Sequence, residues 1–421
     1  MKDFKSEEIK DNIYLHTIKD DKFKTNLINF YFKRPLDRKE VTYNALLPMV
    51  LQRGTNTYPT SKELSKKLED LYGAYVSGDT TKKGEMQIIR FSMSIVDETF
   101  LLDEGILREG INLMNNILTN PILEEDRFLK KYVEQEKENL KTRINNRIND
   151  KMKYAVDRCI EIMCEDEKYS IYEYGNIDDL DKITPIDLYS HYKKIISSSP
   201  LDIIAVGNMN HNNLKEIFLN ELEINMNSAD HLENKIEEVT PFAIKEVKET
   251  MDISQGKLTL GYRTNIFHNN KLYPALMLYS SILGGGAHSK LFIKVREEES
   301  LCYYVFSKIE KYKGIMLISS GIEIENFEIA KSVIDDQVIE MRKGNITEQE
   351  INYGKKSIIN SIREFKDSSD SLSEYVYGQL FSNNIESMEE LIAKIRSVSK
   401  DEIIEVAKKI KLDTVYFLTK E

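Results

Sequence analysis

Residues 43–55, YNALLPMVLQRGT, and residues 273–285, YPALMLYSSILGG, read as the same helix written twice. Tyr43 aligns with Tyr273, Ala45-Leu46 with Ala275-Leu276 and Gly54 with Gly284, all at an offset of 230 (273 against 43, 284 against 54). Apolar residues fill most positions of both copies, the pattern of a buried helix. Each copy follows a run that alternates like a strand, KTNLINFYFKR at 24–34 and GKLTLGYRT at 256–264.

Outward from the first copy, SKELSKKLEDLYGA (61–74) predicts a second helix, with Thr60 or Ser61 as its N-cap and Glu63 near the capping-box position. YVSGDTT (75–81) and EMQIIRFSMSI (85–95), joined by the turn-forming KKGE, predict a hairpin. From about Asp103 to Cys164 the pattern is helical, broken at Asn120-Pro121. The half closes with a helix at ITPIDLYSHYKKII, a strand LDIIAVG and a helix NNLKEIFLNEL.

Later segments repeat as well. ILEEDRFLKKYVEQEKENLKTRI resembles NITEQEINYGKKSIINSIREF, and ITPIDL with LDIIAV resembles VSKDEI with DTVYFL, at an offset near 215 (398 against 183). Insertions in loops account for the smaller offset. Three matches in one order mark a duplicated αβ unit. The expected fold is therefore α+β, two homologous αβ domains, each a mostly antiparallel sheet with helices packed on it, forming half of a clam shell. The first domain spans 1–222 and the second 251–421, with residues 223–250, polar, acidic and without a sustained period, as the linker.

A chain of 421 residues is too long for one ordinary core, which agrees with two domains. The net charge of −11, from 59 basic and 70 acidic residues, disfavours a nucleic-acid partner, whose phosphates demand clustered Lys and Arg. Cys159, Cys164 and Cys302 are an odd count without zinc-ligand spacing and read as reduced structural thiols. The N-terminal MKDFKSEEIKDNIYL is charged throughout, and no later run reaches the roughly 18 apolar residues of a membrane span. These features predict a cytoplasmic protein with no membrane partner.

Two stretches carry more: LLPMVLQRGTNTYPTSKELSKKLEDLYGAYVSGDTT in the first half and LGGGAHSKLFIKVREEESLCYYVFS in the second. Through them the chain resembles, over nearly its whole length, the pitrilysin/insulinase-type zinc peptidases, which include the mitochondrial processing peptidase and paired bacterial relatives. In active members the helix ending in Gly-Thr carries His-x-x-Glu-His, two imidazoles for zinc and a carboxylate that activates the bound water. Counting back from Gly54-Thr55, those three positions hold Ala45, Pro48 and Met49, none able to bind zinc or take a proton. The third ligand position falls near Thr142 or Arg143. The six histidines, His16, His191, His211, His231, His268 and His288, include no pair four residues apart, so none of them builds a replacement site on one helical face.

The second stretch keeps the family's frame. Leu283, Gly284, Gly285 and Gly286, then Lys290-Leu291-Phe292, Arg296 and Leu301-Cys302-Tyr303 fill it almost without departure. The resemblance implies that Arg296 and Tyr303 reach a zinc site in the other domain, hold the substrate backbone and stabilise the tetrahedral intermediate. On spacing alone, Arg296 beside Glu297 to Glu299 reads equally as a surface ion pair, Tyr303-Tyr304 as core aromatics, and the glycines as a bare helix end.

Subunits of this length work in pairs in the family. The resemblance thus implies a non-catalytic subunit, with no metal or cofactor in this chain, that forms a heterodimer with a homologous zinc-bearing chain and shares its unfolded peptide substrates. Edge pairing of a peptide on the strand Glu85 to Met93 belongs to this expectation. The rival readings are an inactive scaffold and a peptide-binding homodimer without proteolysis.

Overall fold

The computed structural model describes residues 4–224 and 237–420. The first half begins with β1 (Phe4–Lys10), β2 (Ile13–Lys19) and β3 (Thr25–Pro35), then α1 (Val41–Leu51), α2 (Ser61–Asp70) and the hairpin of β4 (Tyr75–Lys83) and β5 (Met86–Val96). It continues through α3 (Ile106–Thr119), the short β6 (Leu123–Glu124) and β7 (Arg127–Phe128), α4 (Lys130–Asn145), α5 (Lys151–Met163), α6 (Ile177–Lys182), α7 (Pro185–Ser198), β8 (Leu201–Gly207) and α8 (His211–Glu221). The second half runs β9 (Lys245–Thr250), β10 (Gly256–Arg263), α9 (Tyr273–Gly284), a π-helix (Phe292–Glu298), β11 (Cys302–Glu310) and β12 (Ile315–Ile322). It ends with α10 (Phe327–Lys343), α11 (Glu348–Glu364), α12 (Ser369–Phe381), α13 (Met388–Ser397), α14 (Lys400–Lys409) and β13 (Lys411–Thr419). Among the described residues no helix is long and apolar enough to cross a membrane.

One sheet is ordered β1-β2-β8-β3-β5-β4 and the other β11-β12-β10-β13-β9. Reversing the second gives β9-β13-β10-β12-β11, which matches β2-β8-β3-β5-β4 strand for strand. In each the first pair is parallel and the remaining three pairs are antiparallel. The repeated sequence is thus a repeated topology, the mixed α+β fold expected.

The aligned glycines show why the repeat is legible. A Cβ on Gly54 would lie 2.9 Å from the backbone of Tyr58 and Pro59, and one on Gly284 would lie 2.6 Å from the amide nitrogen of Ser307. Both helices end where another backbone comes too close for any side chain. The capping box also stands: Thr60 caps α2 and Glu63 returns the bond.

Four expectations change. The run 85–93 is not an edge. Strand β5 is hydrogen-bonded to β3 on one side and β4 on the other, so the edge beyond it is β4, with β1 at the opposite edge. Residues 245–250 of the expected linker form β9, whose charged side chains and edge position leave no apolar period to read; residues 225–236 lie outside the described chain, as does His231. A two-strand turn, β6 with β7, interrupts the helical stretch 103–164. The first 19 residues, unassigned from sequence, supply two strands.

The chain packs as two compact units that no single cut produces. Among the described residues, one unit holds those through 145, 171–224 and 366–378, and the other holds 146–170, 237–365 and 379–420. In the second unit, α5 buries Ala155 and Cys159 in a cluster with Leu317, Tyr416 and Leu418. In the first, Tyr377 of α12 stacks on Tyr31 of β3 with ring centroids 4.0 Å apart. Helices α5 and α12 hold the same place in the repeat, so the two halves exchange equivalent helices, where the sequence suggested two continuous domains at 1–222 and 251–421.

Candidate functional site

In the first unit, α1 packs against α4, β4 and β5. Ala45 and Pro48 are buried, and Met49 packs against the core from a half-buried position. Pro48 sits inside the helix, where it supplies no N–H, and Gln52 ties the end of α1 to β4 through Nε2 donors to the carbonyls of Pro48 (2.7 Å) and Gly78 (3.2 Å). The three positions form an apolar seam with no imidazole, thiolate or carboxylate to bind zinc and no group to accept a proton. Among the described residues there is no cluster of three or more His, Cys, Asp or Glu side chains that could hold a metal ion.

Thr142 and Arg143 are exposed on α4. Thr142 Oγ1 donates to the Glu138 carbonyl. Arg143 grips both carboxylate oxygens of Asp79 on β4, at 3.0 and 2.7 Å, and donates to the Tyr174 hydroxyl at 2.6 Å. The buried face of α4 is instead Val133, Glu136, Lys137 and Leu140. Two charges on it are matched: the Glu136 carboxylate lies 2.6 Å from Arg53, just past α1, and Lys137 Nζ donates to the carbonyls of Asp181 and Ile183 at 3.1 and 3.0 Å. An ion pair therefore joins α1 to α4.

The described histidines are held one by one. His16 pairs with Asp202 (3.1 Å) and His211 with Thr17 (2.9 Å). His191 meets Asn44 Oδ1 at 2.7 Å, and burial pushes its pKa down to about 4. His268 is bonded to Ser382, and burial pushes it down to about 3. His288 packs edge-on to Tyr353. Placed one by one in this way, the imidazoles serve packing, and burial keeps those of His191 and His268 neutral. All three cysteines are buried free thiols, and burial raises the pKa of Cys159 and Cys302.

The second unit differs. Gly284 ends α9, Gly285 is its C-cap, and Gly286 has φ +146, a conformation open mainly to glycine. The chain then winds into the π-helix, where the duplicated first half has α2. Its wide turn carries Arg296, whose side chain is 44% exposed, with the guanidinium over the Phe292 ring and 3.7 Å from Glu297. Tyr303 lies on β11, the edge strand of its sheet, at a register shift between Cys302 and Tyr304, and is 60% exposed. The bulge turns its ring out of the pleat. Its hydroxyl donates to Glu323, which raises the phenol's pKa and keeps the proton in place. Arg296 acts electrostatically on the Cys302 thiol, so the guanidinium and Tyr303 share one end of the unit.

Sequence reasoning missed the Asp79–Arg143–Tyr174 cluster, the Arg53–Glu136 pair and the bulge at Tyr303. The first two join residues far apart in the chain, and a bulge leaves no mark in apolar spacing. The only advance signal was the charge-dense VEQEKENLKTR segment of α4.

The fold and these residues define a peptidase-like αβ repeat, with apolar side chains at the positions the resemblance aligns with metal ligands. Comparisons agree. A family model described as "Peptidase M16 inactive domain" matches residues 182–358. The chain is 40% identical over 409 residues to the "Probable inactive metalloprotease YmfF" of Bacillus subtilis (strain 168), covering 96% of this chain and 95% of that one. A crystal structure of a conserved protein from Enterococcus faecalis V583 superposes with a TM-score of 0.93 at 29% identity, over 100% of this chain and 99% of the other. That of a peptidase M16 inactive domain from Pseudomonas fluorescens gives 0.82 at 15%, over 99% and 98%. The chain belongs to the M16, or pitrilysin/insulinase-type, peptidase family, as an inactive metalloprotease-like member.

Proposed function

We propose that this protein is the non-catalytic subunit of a two-chain zinc peptidase. It gives Arg296 and Tyr303 to the zinc site of a homologous partner and forms part of the wall that admits only unfolded peptides. One observation carries the reading: the residues aligned with the metal positions of the first unit are apolar and packed into the core, Ala45 and Pro48 buried and Met49 half-buried, while Arg296 and Tyr303 of the second stand exposed on a π-helix and a bulged edge strand. A guanidinium presents a planar fork of donors to a peptide carbonyl, and a protonated phenol donates to a developing oxyanion. Zinc, on the partner, supplies the activated water; this chain supplies donors and shape. The peptide extends the first unit's sheet along β4, the edge strand on the α1 side of the sheet.

The test is cleavage of an unfolded peptide, with zinc quantified, by this chain alone, by the zinc-motif homologue alone and by the co-expressed pair. Support requires a metal-free, inert chain and a pair that outperforms the homologue and loses rate on Arg296→Ala. A homologue equally active alone would leave the chain a scaffold, and cleavage by this chain alone would refute the reading.

A further inference from the structure

We infer that an exposed apolar patch at the start of β4 is a docking surface for the basic, apolar part of a bound peptide, an assignment that rests on the peptide pairing with β4. Four of the large apolar side chains left in water come from two short stretches: Tyr72 (49% exposed) and Tyr75 (65%) lead into β4, and Phe100 (57%) and Leu102 (102%) follow β5. The hairpin brings the stretches together. Tyr75 opens β4 opposite Ser94 of β5, and the Tyr72 hydroxyl donates to Asp103.

These side chains are held outward by a built loop. Buried Asp97 accepts bonds from the Thr99 amide and hydroxyl (3.1 and 2.9 Å) and from Asn208 Nδ2 (3.0 Å), while its own amide donates to the Lys24 carbonyl (2.9 Å). Leu101 turns in to the core, which leaves Phe100 and Leu102 on the outside. Tyr72 has φ +58, a left-handed conformation that is costly for a bulky residue and persists only where the surroundings enforce it.

Charge names the occupant. Glu69, Asp70, Asp103 and Glu104 are exposed around the aromatic residues, and neither 68–78 nor 96–107 contains a Lys or Arg. Two of the flanking cations are already engaged, Lys67 with Glu109 at 2.5 Å and Arg108 with Glu221 at 2.8 Å, while Lys24 and Lys66 stand exposed farther out. An apolar patch with a mostly acidic rim complements a segment that alternates Lys or Arg with Leu or Phe. It is continuous with the open edge of β4, so one extended chain occupies both.

The test is fluorescence anisotropy with two labelled peptides, one alternating Lys with Leu and its twin carrying Glu for Lys, added to the full chain alone and paired with its homologue. The Lys peptide is expected to bind about tenfold tighter at low salt and to lose that margin at high salt. Asp70→Lys with Glu104→Lys, at exposed positions without hydrogen-bonded partners among those described, abolishes the preference, and Phe100→Ser with Leu102→Ser weakens the Lys peptide about tenfold with the melting temperature unchanged. Equal binding of both peptides, or a preference that survives charge reversal, overturns the patch and leaves capture on β4 standing. Binding of neither peptide overturns both.

Discussion

The helix that ends at Gly54 and the helix that ends at Gly284 hold one position in two copies of one topology, yet their surroundings have diverged. Around α1 the positions aligned with the metal ligands are closed into an apolar seam, Pro48 sits inside the helix, and Arg53–Glu136 joins α1 to α4. After α9 the chain keeps a glycine turn, a π-helix and a bulge, three irregular features that each weaken regular structure and together expose Arg296 and Tyr303. Without charged or metal-binding groups at those positions to accommodate, the first copy packs tightly. The retained irregularity of the other copy is what a remaining contact with substrate would maintain.

The sharpest way to break this comparison is to remove the donors on one side only. In the co-expressed pair, Arg296→Ala should lower kcat/KM on the order of 10²- to 10³-fold, as loss of a transition-state donor does. Met49→Ala, at a metal position, should leave the rate within about twofold while it lowers stability, since it truncates a packed side chain. Equal effects of the two substitutions would erase the distinction between the units.

A second test concerns the α1–α4 junction. Arg53→Ala strands the Glu136 carboxylate, whose side chain is 7% exposed, and should destabilise the first unit by about 3 kcal/mol in urea unfolding. Arg53→Ala with Glu136→Leu should recover most of that loss. If the single substitution is silent, the pair does not close the old metal site.

Acid sharpens the comparison further. His191 in the first unit is held near pKa 4 against an ordinary 6.5, so the unfolded chain takes up a proton before the folded one does. Its contribution to stability is whole above pH 6.5 and is lost as pH falls toward 4, about 2 kcal/mol by pH 5. His191→Gln should flatten the pH dependence of the melting temperature over that window. His268, held near 3, gives the second unit a loss of the same sign. The smallest effect belongs to Pro48→Ala, which should stabilise α1 by about 1 kcal/mol and bring no zinc, as measured by metal analysis.

Much of this was legible in the linear chain, for physical reasons. Buried helices are nearly all apolar, so the copies at 43–55 and 273–285 could be matched, and Gly54 and Gly284 persist because a Cβ would meet backbone in both units. The absence of zinc ligands at 45, 48 and 49 needed only the identities of those residues. Other features were invisible. A charged edge strand such as β9 has no apolar period, and β5 reads like any strand until its two neighbours are known. Thr142 and Arg143 were placed by counting along α4, whereas the helix turns Glu136 and Lys137 inward.

By itself the sequence determined that the chain is a duplicated αβ protein of this peptidase family, with apolar residues at the positions the resemblance aligns with the metal ligands, because periodicity, glycine sterics and side-chain chemistry are local properties. Only the tertiary structure decided that β4 and not β5 is an edge, that α5 and α12 are exchanged between the units, and that Tyr303 is turned outward by a bulge. Each depends on which strand or helix is packed beside it, a contact between residues far apart in the chain that no local pattern encodes.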